Sequence, residues 1–457
     1  MRTTSHVRSR WTRIVACALY ASSGCAPRAD TDASTTRMDA REPDASIDRD
    51  VGVIDAAPAS DTGLDAGRDA GPAPSRLTVE VVTDRHRYVP GLMFGGWGPH
   101  PGHLVRAAGT LYWVDDVCDQ GVPGDCDVNV NRRVGVLRRE AGGWLSIGEI
   151  PLSGIQQNTG TVATSSTLHT YGVDVASERL AECRFELVTA SSSCASIPIA
   201  TGASANYVGA AISPSGARIA WWTNVRDGGG GTFSYVADYG GGWNGPRVGP
   251  IAGYNDFAYA HAGFDPHGPG LVLFGQVVSG TAPSWSFATL VGRASLTTTD
   301  AVEFTAALAP PAGTSIASTN DLWIDPRSGD AHLLARAASG AVVYYHQPPA
   351  GSWSAPTVLE PPGLRARFLE SPTTLALVTG ASGGGVHVRR FARDALAAGS
   401  PLSFASATDE SIALAGIGQV LAIYPEADVT QADDVGALDF AVVGDAQENL
   451  VHFVLLE

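Results

Sequence analysis

The densest set of groups able to do chemistry lies between residues 115 and 131. Asp115, Asp116, Asp119, Asp125 and Asp127, with the amides of Asn129 and Asn131, place five carboxylates and two amides within 17 residues. Oxygen donors at alternate positions, as in Asp127-x-Asn129-x-Asn131, suit Ca2+, a hard cation. The glycine and closing bidentate acid of an EF-hand loop do not follow at their offsets, so the competing reading is a solvated acidic insertion and no cofactor is certain. Cys118 and Cys126 stand within this stretch, and Cys183 and Cys194 form a second close pair. Four cysteines allow three connectivities; the short separations favour disulfides 118–126 and 183–194. Neither C-x-x-C spacing nor flanking histidine supports zinc.

Catalytic patterns are present but lack their contexts. Gly380-Ala381-Ser382-Gly383-Gly384 matches the nucleophile pattern G-x-S-x-G. That pattern works at a strand-to-helix elbow, whereas here it joins two apolar strands and reads as a hairpin turn. The glycine run Gly228 to Gly231 lacks the Lys-Ser/Thr of a phosphate loop, and His100 and His103 lack the i, i+4 spacing of a zinc helix. Arg106, Arg336, Arg365 and Arg367 are the arginines from which a three-arginine carboxylate clamp would be drawn; their spacing selects no set. What remains is a recurrence of polar residues ahead of apolar strands: His100, Asn158, Asn206, Asn255 with Asp256, Asn320 with Asp321, and Arg365 with Arg367. If these strands converge, their openings form a ligand-binding mouth; the competing reading is that they cap turns and hydrate a channel.

The elements that must position these residues are short strands. From Leu77 on, β-rich runs such as Arg218-Ile-Ala-Trp-Trp222 and Val342-Val-Tyr-Tyr345 alternate with Gly/Pro/Ser/Asp turns, with no helical period. One phrase recurs: a strand, an acidic or hydroxyl residue, a proline, a turn and another strand. It appears at Ser213-Pro214, Asp265-Pro266, Asp325-Pro326 and Ser371-Pro372, with prolines 52, 60 and 46 residues apart. A second marker, Trp144, Trp243 and Trp353, recurs at 99 and 110 residues, about two units each. Both markers give a unit of about 50 residues, the size of a four-stranded propeller blade.

The expected fold is therefore all-β, a β-propeller of seven blades over residues 77–457, with six as the alternative count. Blades are placed near 98–150, 151–198, 199–250, 251–306, 307–360, 361–407 and 408–457. The last offers only three strands, so Leu77 to Val82 is expected to supply its fourth and leave no long free edge. Ser213 to Trp221 resembles the Ser-Pro-Asp-Gly repeat of Tol-type propellers. Asp325 to Leu334, followed by Trp353-Ser-Ala-Pro, looks like sialidase-like propellers, although the Asp-box of sialidases is absent. These resemblances imply architecture, not activity.

The N-terminal 76 residues read differently. Arg2, Arg8, Arg10 and Arg13, the apolar run Ile14 to Ala21 and small residues before Cys25 have the layout of an export signal, too short to span a bilayer. Small residues before a cysteine resemble the lipobox of bacterial lipoproteins, which implies lipid attachment at Cys25; Ser22 departs from the usual leucine. Residues 26–76 hold no aromatic residue, 11 acids and 6 arginines, and are expected to form a disordered tether. Signal +4 and tether −5 within a total of −16 leave −15 for residues 77–457, which disfavours nucleic acid. The expected protein is a monomer of the bacterial cell envelope, lipid-anchored on the periplasmic or cell-surface side, touching membrane through the anchor alone; an ordinary secretory signal would make it secreted. Its expected role is to bind a protein or glycan at the propeller axis, with a sialidase-like carbohydrate-active enzyme or a structural envelope component as alternatives.

Overall fold

The computed structural model describes residues 77–85, 103–118, 133–152, 155, 159–174, 176–201, 205–213, 215–224, 232–238, 242–250, 256–267, 270–279, 286–295, 304–361, 363, 365–381, 384–414, 416–417, 419–426, 438–444 and 451–456. They lie within one compact unit, Arg76–Glu457. It is all-β, with a single 3-10 turn at Arg393–Ala395 among the described residues. After β1 (Leu77–Thr83) the strands fall into four-stranded antiparallel sheets in chain order. The first sheet is β2 (Leu104–Ala107), β3 (Thr110–Val117), β4 (Arg133–Glu140) and β5 (Gly143–Pro151). The second is β6 (Gly160–Ala163), β7 (Thr167–Asp174), β8 (Arg179–Glu186) and β9 (Ser191–Ala200). The third is β10 (Ala205–Ile212), β11 (Arg218–Asn224), β12 (Thr232–Asp238) and β13 (Trp243–Pro250). The fourth is β14 (Asp256–Phe264), β15 (Gly270–Ser279), β16 (Ser286–Ser295) and β17 (Phe304–Ala307). The fifth is β18 (Ile316–Ile324), β19 (Ala331–Ala337), β20 (Val342–Gln347) and β21 (Thr357–Leu359). The sixth is β22 (Ala366–Glu370), β23 (Thr374–Ala381), β24 (Gly385–Ala392) and β25 (Thr408–Ala413). The seventh joins β26 (Val420–Pro425), β27 (Leu438–Gly444) and β28 (Val451–Leu456) to β1, which pairs antiparallel with β28 from Leu77–Leu456 onward.

One boundary differs from expectation. Thr408–Ala413 completes the sixth sheet instead of opening the seventh, because residues 393–407 leave β24 and return before the fourth strand forms. That excursion packs on the fifth sheet. The Leu402 amide donates to Tyr344 Oη at 2.9 Å, the Gly399 amide donates to Asp330 Oδ2 at 2.7 Å, and Phe404 lies edge-on between Tyr344 and Phe391.

The repeated polar-Pro phrase closes the hairpin after the first strand of sheets three to six. Ser213 Oγ accepts from the Ala217 amide, Asp265 Oδ1 from His267, Asp325 Oδ1 from Arg327 and Ser371 Oγ from Thr374. Each side chain thus satisfies a turn amide that the ladder leaves unpaired. In the Asp325 turn Gly329 has φ +73°, a conformation that a Cβ would strain. The recurrent tryptophans bind sheets together: Trp144 meets Phe453 of the seventh sheet, and Trp243 meets Tyr171 of the second.

A four-stranded sheet has two apolar faces and buries them only against neighbours. Sheets one and two, two and three, four and five, five and six, and six and seven share cores, and the first strands lie side by side: β6 with β2 and β10, β14 with β10 and β18, β22 with β18 and β26. The first and seventh sheets also meet. Leu104 forms a parallel bridge with Glu426, and Trp113 packs with Tyr424 and Phe453 in one cluster.

Candidate functional site

The hairpin anchors set a common depth. Four residues before Ser213, Asp265, Asp325 and Ser371 stand Gly209, His261, Asp321 and Arg367, on the first strands of sheets three to six. At this depth Gly209 leaves room for the Trp221 ring, 2.3 Å from where a Cβ would lie. The Trp221 and His261 rings meet at right angles, with centroids 5.6 Å apart. Asp321 Oδ2 accepts from the Phe368 amide at 2.7 Å, tying the fifth sheet to the sixth, and Oδ1 accepts from the Leu322 amide. Arg367 interacts electrostatically with Asp321, His261 and Tyr424, which belong to three other sheets. All of these side chains are buried.

Burial governs their protonation. It raises the Asp321 carboxyl to about 6, against the pull of Arg367 and two backbone amides. It holds His261 neutral, with a pKa lowered to about 3 by burial and then by Arg367. The Arg367 guanidinium is itself lowered by burial, with Asp321 the first group opposing it. The layer extends through Tyr424 to His103, whose rings lie 4.8 Å apart. His103 Nδ1 is 3.1 Å from Asp115 Oδ1. Burial pushes this imidazole down, but Asp115 and Asp116 outweigh it and leave its pKa raised.

This placement corrects part of the calcium reading. Asp115 and Asp116 are not in an acidic insertion; they are buried residues of β3, and Asp115 serves His103. Among the described residues no group of three His, Cys, Asp or Glu could hold a metal ion. Asp119, Asp125, Asp127, Asn129 and Asn131 lie outside them, as does Cys126. Cys118 is disulfide-bonded, and Cys183 is joined to Cys194 across β8 and β9.

Of the polar strand openings, Asp321 and Arg367 are brought together. Arg365 donates to the Leu421 carbonyl at 2.6 Å and ties the sixth sheet to the seventh. Asn206 and Asp256 sit near the starts of β10 and β14, nearer the strand openings than the buried layer, and Asn320 sits next to Asp321. His100, Asn158 and Asn255 lie outside the described residues. His261 and Gly209 stand four residues before their hairpin anchors and are not among the polar strand openings read from the sequence.

The four arginines considered for a carboxylate clamp do not converge. Arg106 lies at the hairpin end of β2 and grips Glu426 through Nε at 2.8 Å and Nη2 at 2.9 Å, with Asp439 at 3.3 Å. Arg365 and Arg367 are engaged as described. Arg336 lies at the opposite end of the sheets from Arg106, beside the turn between β19 and β20. The G-x-S-x-G segment joins antiparallel β23 to β24, as a hairpin would.

No family model and no curated protein matches the sequence. Solved structures do. The chain is similar to the polysaccharide lyase Uly1, with a TM-score of 0.56, 11% identity, and 83% of this chain and 99% of that one covered. It is similar to an ulvan lyase bound to a saccharide of glucuronic acid and sulfated rhamnose, with a TM-score of 0.51, 9% identity and coverage of 79% and 94%. It is also similar to the BP39L lectin of Burkholderia pseudomallei, with a TM-score of 0.50, 13% identity and coverage of 84% and 96%. At such identities the likeness speaks for fold.

Proposed function

We propose that residues 77–457 form a closed seven-bladed β-propeller that binds carbohydrate at the end of the ring where the first strands begin. The observation that carries the reading is the buried layer of Trp221, His261, Asp321, Arg367 and Tyr424. Such a layer, drawn from sheets three to seven, would floor a basin at the mouth above it. A rigid ring with strand openings and loops converging on a basin is suited to recognition. The side-by-side first strands and the contact of first and seventh sheets support ring closure, and a lectin among the structural neighbours supports glycan as the ligand. The head acts at the envelope, carried on the 26–76 tether from a lipid at Cys25; loss of palmitate labelling in Cys25→Ser tests this anchor.

The test of function is a glycan array probed with the full-length protein, followed by calorimetry on the hits. Capture of a defined saccharide class is expected; no capture overturns the reading. A second reading, polysaccharide lyase, is favoured by two of the neighbours. Unsaturated product released from a captured polysaccharide would select it over simple binding.

A further inference from the structure

Arg336 stands apart from the other three arginines. Its guanidinium is half-buried, its Nε is shielded from solvent without a hydrogen-bond partner, and among the described residues no carboxylate or carbonyl answers it. Along β19, Leu333, Ala335 and Ala337 face the fourth sheet. Leu334, together with Val342 opposite Arg336, faces the sixth. Arg336 therefore points into the cleft between sheets five and six. Its Nη2 reaches to 3.9 Å from where a Cβ on Gly340 would lie, over the turn between β19 and β20. At that turn the Ala338 amide donates to Ser315, just before β18 begins. This is the mouth end of the sheets, opposite the Asp325 hairpin.

Partly desolvating a guanidinium without a counterion is costly, and residues 77–457 carry a surplus of acids that could have supplied one. The fork of five donors matches a carboxylate in two parallel hydrogen bonds. An acidic molecule approaching a domain of charge −15 is repelled at long range and needs a local cation to be held. Resting on the carbohydrate reading above, we propose that Arg336 is the anion contact of the mouth and that the ligand is a uronate-type sugar whose carboxylate it receives.

Calorimetry on the full chain with a tetragalacturonate and a glucuronate-containing tetrasaccharide, their carboxyl-reduced counterparts, and a sulfated oligosaccharide without carboxylate tests this. At least one uronate should bind about tenfold or more tighter than its reduced form. Arg336→Gln should erase that difference, and Arg336→Lys, which keeps charge but not the fork, should restore part of it. Equal binding of acidic and reduced forms, equal binding of the sulfated probe, or an acid preference intact in Arg336→Gln overturns the inference and leaves the carbohydrate reading standing. Failure of the wild type to bind any saccharide on the array or in calorimetry overturns both. If Arg336→Gln does not fold, the wild type decides: sodium glucuronate, and not glucose, should raise its melting temperature and displace the bound oligosaccharide, and absence of either effect overturns the inference.

Discussion

At the scale of single residues, the buried layer turns on the electrostatic attraction between two buried groups, Arg367 and Asp321. Arg367 contributes a full charge to an interior that has already raised the Asp321 carboxyl to about 6. Removing one of the two leaves the other buried without that attraction and costs stability, whereas removing both leaves mainly a packing defect. Arg367→Ala should therefore be strongly destabilised in urea unfolding at pH 8, where Asp321 is ionised. The double variant Arg367→Met with Asp321→Asn should lose clearly less than the sum of the singles. Strict additivity would show that the two charges do not interact. His261 and Gly209 show what local reading misses. A histidine in an Ala-rich strand and a glycine in another carry no local mark. Their shared role appears only when strands are aligned by the anchors that end them.

At the scale of elements, the hairpin anchors were readable because turn chemistry is local: a hydroxyl or carboxylate beside proline and glycine describes its own bend. The outer tryptophans were readable for a similar reason, each opening or preceding a fourth strand. The end of the sixth sheet was not. Thr408–Ala413 is largely exposed, and its short Thr-Asp-Glu-Ser run lacks the apolar alternation that marks a buried strand. The excursion before it is held by polar contacts to the fifth sheet, which no pattern within residues 393–407 discloses. Tyr344 is the central contact, since its hydroxyl accepts from the Leu402 amide and meets His332 Nδ1 at 2.7 Å. Tyr344→Phe keeps the ring against Phe404 and removes both hydrogen bonds. A loss of about 1–3 kcal/mol is expected, with faster hydrogen exchange at Gly399 and Leu402 and little change on β22. Unchanged exchange there would show that the excursion is held by Phe404 and Leu402 packing alone.

At the scale of the whole folded unit, two devices join its ends: β1 laid on β28, and Arg106 of the first sheet clasping Glu426 and Asp439 of the seventh. Burial and then Glu426 raise the Asp439 carboxyl to about 6, above its unfolded value of 3.8. Its contribution to stability is thus full below pH 4 and is lost as pH rises through 6. Without Arg106 the ionised carboxylates lose their cation, so the loss on raising pH steepens. The melting-temperature gap between wild type and Arg106→Gln should widen from pH 5 to pH 8; a constant gap would place the role of Arg106 in packing. Deleting Leu77–Thr83 should bare the β28 edge, lower the melting temperature and promote association in light scattering. A monomeric deletion variant of wild-type stability would contradict that role for β1.

The chain order of the seventh sheet also bears on biogenesis. A ribosome releases Leu77–Thr83 hundreds of residues before Val451–Leu456, so the earliest strand must wait, unmated, for the latest. Contacts of such long sequence separation make folding slow. During that interval the seventh sheet stays open, and the unit sets into its final form only once Val451–Leu456 is available to receive Leu77–Thr83.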